Sequence, residues 1–119
     1  MSVKFSSFAL VFLGGGLGAS LRYAAALIFQ MLQWSPWAST LLVNGLGTFF
    51  YFLSLKWGHG QSEWAGPFIR LGLLGSLTTF STFSFEVANA IKNGQSTQAA
   101  AIFFLNILTG VLIAIGMFR

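Results

Sequence analysis

The densest group of polar side chains in this sequence lies in the stretch GSLTTFSTFSFE, from Gly75 to Glu86. Within it, hydroxyl residues alternate with aromatic ones: Ser76, Thr78, Thr79, Ser81, Thr82 and Ser84 with Phe80, Phe83 and Phe85. Hydroxyl groups can replace the water around an ion, and the edge of an aromatic ring carries the positive part of its quadrupole. The stretch therefore suits a small ion. The alternative is a helix bent by hydroxyls that bond back to its own carbonyls.

Two more polar residues stand inside apolar sequence. Asn44 lies in TLLVNGLGTFF, where its amide either bonds to another helix or donates to an ion. Arg22 follows GGGLGAS, and its charge either reaches the membrane surface by extending along the helix or faces a water-filled vestibule that attracts anions. The sequence leaves both pairs of alternatives open.

Groups for acid–base or covalent catalysis are scarce. The chain has two acidic residues, Glu63 and Glu86, one histidine, His59, and no cysteine. His59 stands in a polar stretch with no nucleophile–base pair near it in sequence, and cysteine-based metal sites and disulfides are excluded. We expect the protein not to be an enzyme.

The composition indicates a membrane protein. Hydrophobic residues make up 55% of the chain and charged residues 7%, against about 25% charged residues in an ordinary soluble domain. The six cations are spread along the chain and form no basic patch, so no nucleic-acid partner is expected. The expected surroundings are a lipid bilayer, crossed several times.

The apolar residues divide into four segments long enough to cross a membrane. The predicted spans are 5–32, 37–57, 67–92 and 97–118, and the whole chain, 1–119, forms a single four-helix subunit. Trp34, Trp37, Trp57 and Trp64 lie near span ends, as an interfacial aromatic belt requires.

Glycines mark two special positions. Gly14 and Gly18 form a small-xxx-small face that lets another helix approach closely. Gly14, Gly16 and Ala19 also fit a dinucleotide fingerprint, but no strand precedes them, so nucleotide binding is not expected. In span three, Gly72 and Gly75 precede the hydroxyl-rich stretch, where a membrane helix can break and expose backbone groups to an ion.

Three blocks, GGGLGASLRY, TLLVNGLGTF and GSLTTFSTFSFE, occur in an order and spacing that resemble the Fluc fluoride channels, also called CrcB proteins. The resemblance covers essentially the whole chain. It implies an all-α integral membrane protein with four transmembrane helices, the third one broken, that forms an antiparallel, dual-topology dimer. The implied activity is passive, fluoride-selective export across the cell (inner or plasma) membrane, which relieves fluoride toxicity.

The resemblance also implies site residues and a cofactor. A structural sodium ion at the dimer centre would bind backbone carbonyls of Gly75 and Thr78. Two fluoride pores would lie along the dimer interface, with Arg22 and Glu86 in the vestibule. The pore residues would be Asn44, Phe80, Phe83, Ser81, Thr82, Thr109 and Asn106.

Span four departs from the family pattern, because Gly110 and Ala114 stand where hydroxyls are expected. The pore therefore uses other donors, or one pore is degenerate, as in family members that pair with a homologous subunit. More cations are predicted on one side of the membrane than on the other, whereas a chain that inserts in both orientations should show almost no such bias. This slightly favours a heterodimer, but an antiparallel homodimer remains our expectation. A small proton-coupled multidrug exporter is a weaker alternative, because span one holds no glutamate.

Overall fold

The computed structural model describes residues 4–58 and 62–118, and His59 and Arg119 lie outside them. Within these ranges the chain is helical and contains no strand. The elements are α1 (Phe5–Met31), α2 (Pro36–Trp57), a π-helical segment (Gly66–Leu74), α3 (Gly75–Leu77), α4 (Phe80–Lys92) and α5 (Ser96–Met117).

Three helices, α1, α2 and α5, are long and apolar enough to cross a membrane. They contain 27, 22 and 22 residues. At 1.5 Å per residue the shorter two extend about 33 Å, slightly more than the thickness of a bilayer's hydrocarbon core. These helices coincide with predicted spans one, two and four, which confirms an all-α chain with membrane-compatible helices.

The distribution of side chains is inverted relative to a water-soluble protein. Bulky apolar residues face outward, such as Phe12 at 80% and Leu112 at 63% exposure, whereas α1 buries only Gly14 and Gly18 among its residues. Large apolar side chains on the outside suit a surface covered by lipid, and buried glycines let helices pack closely.

The glycines of α1 provide the closest helix contact. A Cβ atom at Gly14 would overlap the carbonyl of Phe68, and one at Gly18 would overlap Leu73 and Ser76. Gly72 is equally close from the other side, since its Cβ would lie 2.9 Å from the carbonyl oxygen of Val11. The small face predicted in span one therefore packs against the π-helical segment.

The helical path of residues 66–92, where the sequence predicts span three, is interrupted. The π-helical segment continues into the single turn of α3, and the N–H of Gly75 donates to the carbonyl of Arg70, five residues back. Thr78 (φ −78°, ψ 153°) and Thr79 (φ −147°, ψ 120°) are then extended, and α4 begins at Phe80. We call Thr78 and Thr79 the break.

Behind the break, α4 packs on α5. Phe83 forms a buried cluster with Ala90, Ala99 and Ile102. This cluster packs α4 against α5. The residues that follow the break therefore belong to a helix that is held in place by α5.

Candidate functional site

Asn44 of α2 holds the break in place. Its Oδ1 accepts a 2.7 Å hydrogen bond from the N–H of Thr79, and its Nδ2 donates to the carbonyl of the same residue at 3.2 Å. Because a backbone N–H can only donate, this pair fixes which side of the amide is oxygen. One side chain thus satisfies both backbone groups of Thr79 that the interruption of the helix sets free.

The remaining donor of Asn44 is also used. Nδ2 donates to Oδ1 of Asn106 on α5 at 3.0 Å, so both amide hydrogens have acceptors within the chain. Of the two interpretations left open by the sequence, the structure displays the interhelical one. Asn106 donates to the carbonyl of Ile102 at 2.9 Å and has a second N–H, since an amide carries two donors.

A cavity of about 260 Å³ lies at the break. Its lining residues are Asn44, Thr48, Thr78, Thr79, Phe80, Phe83, Asn106 and Ile107. The structure therefore brings four of the seven predicted pore residues to one cavity: Asn44, Phe80, Phe83 and Asn106.

The two phenylalanines differ in exposure. Their ring centroids are 5.7 Å apart at an interplanar angle of 53°. Phe83 is 5% exposed and packs towards Phe103, whereas Phe80 is 76% exposed in the single chain. Only Phe80 is therefore open to a neighbouring molecule.

Hydroxyls cluster at the start of α4. Thr79 caps the helix, because its Oγ1 accepts from the N–H of Thr82 at 3.2 Å. Oγ1 of Thr79 also donates to Oγ1 of Thr82 at 3.1 Å and lies 3.3 Å from Oγ of Ser81. No hydrogen bond among the described residues uses the N–H groups of Phe80 and Ser81. These N–H groups and the helix dipole make this end of α4 favourable for an anion.

A larger cavity, of about 690 Å³, holds the two predicted vestibule residues, Arg22 and Glu86. Thr40 donates to Oε1 of Glu86 at 2.6 Å. The other carboxylate oxygen, Oε2, is buried and has no hydrogen-bond partner among the described residues.

Arg22 makes a contact that the sequence does not predict. Its Nε donates to the carbonyl of Ser76 at 3.0 Å. Ser76 lies in α3, the last turn before the break, where helix carbonyls lack intrahelical partners. Arg22 thus stabilises the negative end of the first half-helix while its side chain lines the vestibule cavity.

Thr79 connects the two cavities, since among their lining residues it alone belongs to both. Sequence reasoning assigned roles to its neighbours and missed Thr79, as it missed Thr40. The sequence feature that could have indicated Thr79 is its position between two predicted site residues, Thr78 and Phe80. Thr40 gave none, because its partner Glu86 is 46 residues away.

The predicted cation ligands, Gly75 and Thr78, line a third cavity of about 360 Å³. The carbonyl of Gly75 accepts only a long hydrogen bond of 3.4 Å from the Thr78 hydroxyl, and no hydrogen bond among the described residues is donated to the carbonyl of Thr78. Arg70 also lines this cavity, but its Nη2 is directed towards Gly66. Within the described residues there is no cluster of acidic, histidine or cysteine side chains for a metal ion. Carbonyl oxygens and the hydroxyls of Thr48, Tyr51 and Thr78 are the oxygen atoms near this cavity.

The structure separates Thr109 from this group. Thr109 lines an apolar depression with Phe29, Gly45 and Ile113, away from Asn44 and Asn106. Gly110 lies one helical turn beyond Asn106, and no atom of the residues that the structure describes would contact a Cβ there. The lack of a hydroxyl at Gly110 is therefore not imposed by crowding within the chain.

A helical chain with membrane-compatible spans, an interrupted helix and polar cavities at the interruption defines a candidate membrane ion-transport protein. Residues 9–117 match the family model described as "CrcB-like protein, Camphor Resistance (CrcB)". The chain belongs to this family.

Curated relatives agree with the match. The chain is 38% identical over 113 residues to a protein of Hyphomonas neptunium, covering 89% of this chain and 87% of the relative. It is 35% identical to one of Pyrococcus furiosus (88% and 87%) and 41% identical to one of Idiomarina loihiensis (85% and 81%). All three are named "Fluoride-specific ion channel FluC". These names describe an ion channel and not an enzyme. They confirm the resemblance to the Fluc family and the prediction that the protein is not an enzyme.

Proposed function

We propose that this chain is the subunit of a passive, fluoride-selective ion channel of the cell (inner or plasma) membrane, which lets fluoride leave the cell and so relieves its toxicity. Family membership, together with the names of the relatives, supports the activity. The observation that carries the proposal is the break. It places free N–H groups at the start of α4 beside Phe80, Phe83 and Asn106.

The chemistry of the break suits fluoride. Fluoride is small and strongly hydrated, so a path must replace its water with donors, and weak serial sites let it leave again. The candidate donors are the hydroxyls of Ser81 and Thr82, the second N–H of Asn106 and the positive ring edges of Phe80 and Phe83. Arg22 would raise the anion concentration in the vestibule, while Glu86 lies on the same cavity and Thr109 remains a predicted pore residue.

A second copy of the chain is part of the proposal. The cavity at the break and the cavity beside Gly75 both contain polar groups, and Gly75 and Phe80 are exposed in the single chain. Polar backbone cannot face lipid. A partner related by a twofold axis is the commonest way to cover such a surface, and the family resemblance implies an antiparallel dimer of four-span subunits with two pores.

The carbonyls of Gly75 and Thr78 fit a sodium ion. Both are oxygen ligands with little or no competing hydrogen bonding, and unwound carbonyls coordinate sodium in other membrane proteins. Two carbonyls are few for one ion, so each copy of the dimer would contribute its pair. The ion would then join the two copies, and the role of these residues would be structural.

One observation favours a second candidate, a heterodimer with a homologous subunit. Gly110 and Ala114 lie on the Asn106 side of α5 by helical spacing and offer no hydroxyl, so one pore of a homodimer would be poorly lined. A proton-coupled exporter is less well supported, because α1 contains no acidic residue.

Fluoride efflux from liposomes that contain the purified protein tests the activity. We expect rapid efflux, followed with a fluoride electrode, and no chloride efflux from matched liposomes. Absence of flux from this chain alone, with flux after a homologous subunit is added, would replace the homodimer by the heterodimer. Absence of flux in both cases would contradict the channel.

The sodium proposal has a separate test. Replacing Gly75 with Ala or Thr78 with Val should disturb dimer assembly, measured by size-exclusion chromatography with light scattering, more than it changes the ratio of fluoride to chloride flux. Unchanged assembly in both variants, at every sodium concentration, would contradict a structural ion.

A further inference from the structure

The methyl group of Thr78 rests on α2 at Gly47. Gly47 is buried, and a Cβ atom built on it would overlap Cγ2 of Thr78. The next nearest atoms, Cβ of Thr78 at 3.7 Å and the carbonyl oxygen of Leu74 at 3.8 Å, are at ordinary contact distance. Among the described residues, the methyl group is therefore the one atom that a Cβ atom at Gly47 would overlap.

The hydroxyl of Thr78 is fixed on its other side. Oγ1 donates to the carbonyl of Leu74 at 3.0 Å and lies 3.4 Å from that of Gly75. Side chains occupy staggered rotamers, so moving the methyl group away from α2 requires a rotation of about 120°. That rotation would take the hydroxyl off the carbonyl of Leu74.

Gly47 also lies one turn after Asn44, on the same face of α2. Asn44 binds both backbone groups of Thr79, and Gly47 receives the side chain of Thr78. One face of α2 thus contacts both residues of the break.

We propose that Gly47 is a positioning residue: by leaving room for the Thr78 methyl group it fixes the Thr78 rotamer and extended backbone, and hence the direction of the Thr78 carbonyl. The consequence for sodium rests on the proposed function, whereas the contact between Gly47 and Thr78 does not. Gly47 would act through Thr78, without touching an ion.

A double-mutant cycle tests this inference, because serine keeps the hydroxyl of Thr78 and lacks the methyl group. The variants are G47A, T78S and the double variant, with G45A as the matched control. A Cβ at Gly45 would meet only Cγ2 of Thr109 at 3.5 Å, an ordinary contact. The full-length protein is purified in detergent for thermal unfolding and reconstituted for fluoride efflux at a series of sodium concentrations.

We expect G47A to lower the melting temperature by several degrees in the wild-type background and by much less in the T78S background, with G45A close to wild type. In liposomes, G47A should raise the sodium concentration for half-maximal efflux by on the order of tenfold, a change of about 1.4 kcal/mol. The T78S substitution should restore this value towards wild type, whereas simple loss of packing would not be rescued by a smaller residue.

Equal effects of G47A in both backgrounds, in melting and in sodium dependence, would overturn the inference. A coupled melting temperature with an unchanged sodium dependence would overturn the part that concerns the carbonyl. If the wild-type protein carries no fluoride, the proposed function fails, and the melting cycle alone decides whether Gly47 positions Thr78.

Discussion

The two phenylalanines of the pore prediction occupy different environments, and this decides how each can be tested. Phe80 is largely exposed in the single chain and Phe83 is buried in the α4–α5 cluster. A substitution at Phe80 therefore reports on the ion path with little effect on the fold. The same change at Phe83 combines an effect on the path with a loss of packing.

We expect Phe80→Ile to slow fluoride efflux by at least about tenfold, because isoleucine offers no ring edge to an anion, with little effect on packing inside the single chain. Phe83→Ile should slow efflux as well and destabilise the protein by about 1–2 kcal/mol through the space it leaves. Phe85→Ile is the control, because Phe85 is exposed and lines neither the vestibule cavity nor the cavity at the break. Normal efflux through both pore variants would show that the ring edges do not contribute.

An ion pair outside the spans gives a prediction on pH. Nζ of Lys4 donates to Oε1 of Glu63 at 2.8 Å, and this hydrogen bond and the charge of Lys4 lower the pKa of Glu63 below 4.5. A lowered pKa means that the stabilisation is present above the ordinary pKa and is lost as the pH falls through the folded-state value. The contact is exposed, so its contribution is small.

Titration of the Glu63 carboxyl by carbon-13 NMR should accordingly give a lower pKa in the wild-type protein than in Lys4→Gln. Lys92→Gln removes a cation at the far end of α4 and should leave the pKa of Glu63 unchanged. Equal pKa values of Glu63 in the wild-type protein and in Lys4→Gln would mean that the ion pair does not persist in solution.

At the scale of the elements, the break depends on α2 more than on its own sequence. Gly72, Gly75 and the hydroxyls of span three predict an interruption, but its position at Thr78 and Thr79 is fixed by Asn44, 35 residues away. A contact at that separation leaves no trace in local sequence. The contact of Arg22 with the carbonyl of Ser76 was likewise not predictable, since it joins residues 54 apart in the sequence.

Asn44→Ala should destabilise the protein by about 1–3 kcal/mol, because it leaves the N–H and carbonyl of Thr79 without their partner. Asn93→Ala, at the exposed C-terminal end of α4, is the matched control and should cost much less. The measurement is thermal unfolding in detergent. Equal melting temperatures for the two variants would contradict the role of Asn44 in holding the break.

The long helices were predictable for a physical reason. The apolar segments of α1, α2 and α5 are each long enough to cross the hydrocarbon core of a bilayer, so length and composition define them. Much of the site was less predictable from the sequence. Asn106 accepts a hydrogen bond from Asn44, whereas Thr109, three residues later on α5, lines a different depression. Composition alone does not show which face of α5 meets the break.

At the scale of the whole molecule, three cavities lie in sequence along the break. The vestibule cavity shares Thr79 with the cavity at Phe80, which in turn shares Thr48 and Thr78 with the cavity beside Gly75. Cavities with polar side chains thus adjoin one another along the break, in a molecule whose outer surface carries many large apolar side chains. A polar route within an apolar exterior is what an ion pathway through a lipid bilayer requires.

The most direct test of the proposed channel is its reversal potential in a planar bilayer with fluoride and chloride on both sides, in opposing concentration gradients. Passive, fluoride-selective conduction predicts a reversal potential that follows the equilibrium potential of fluoride, at every ratio tested and independently of a pH difference across the membrane. A reversal potential that follows chloride, or one that moves with the pH difference, would contradict the account.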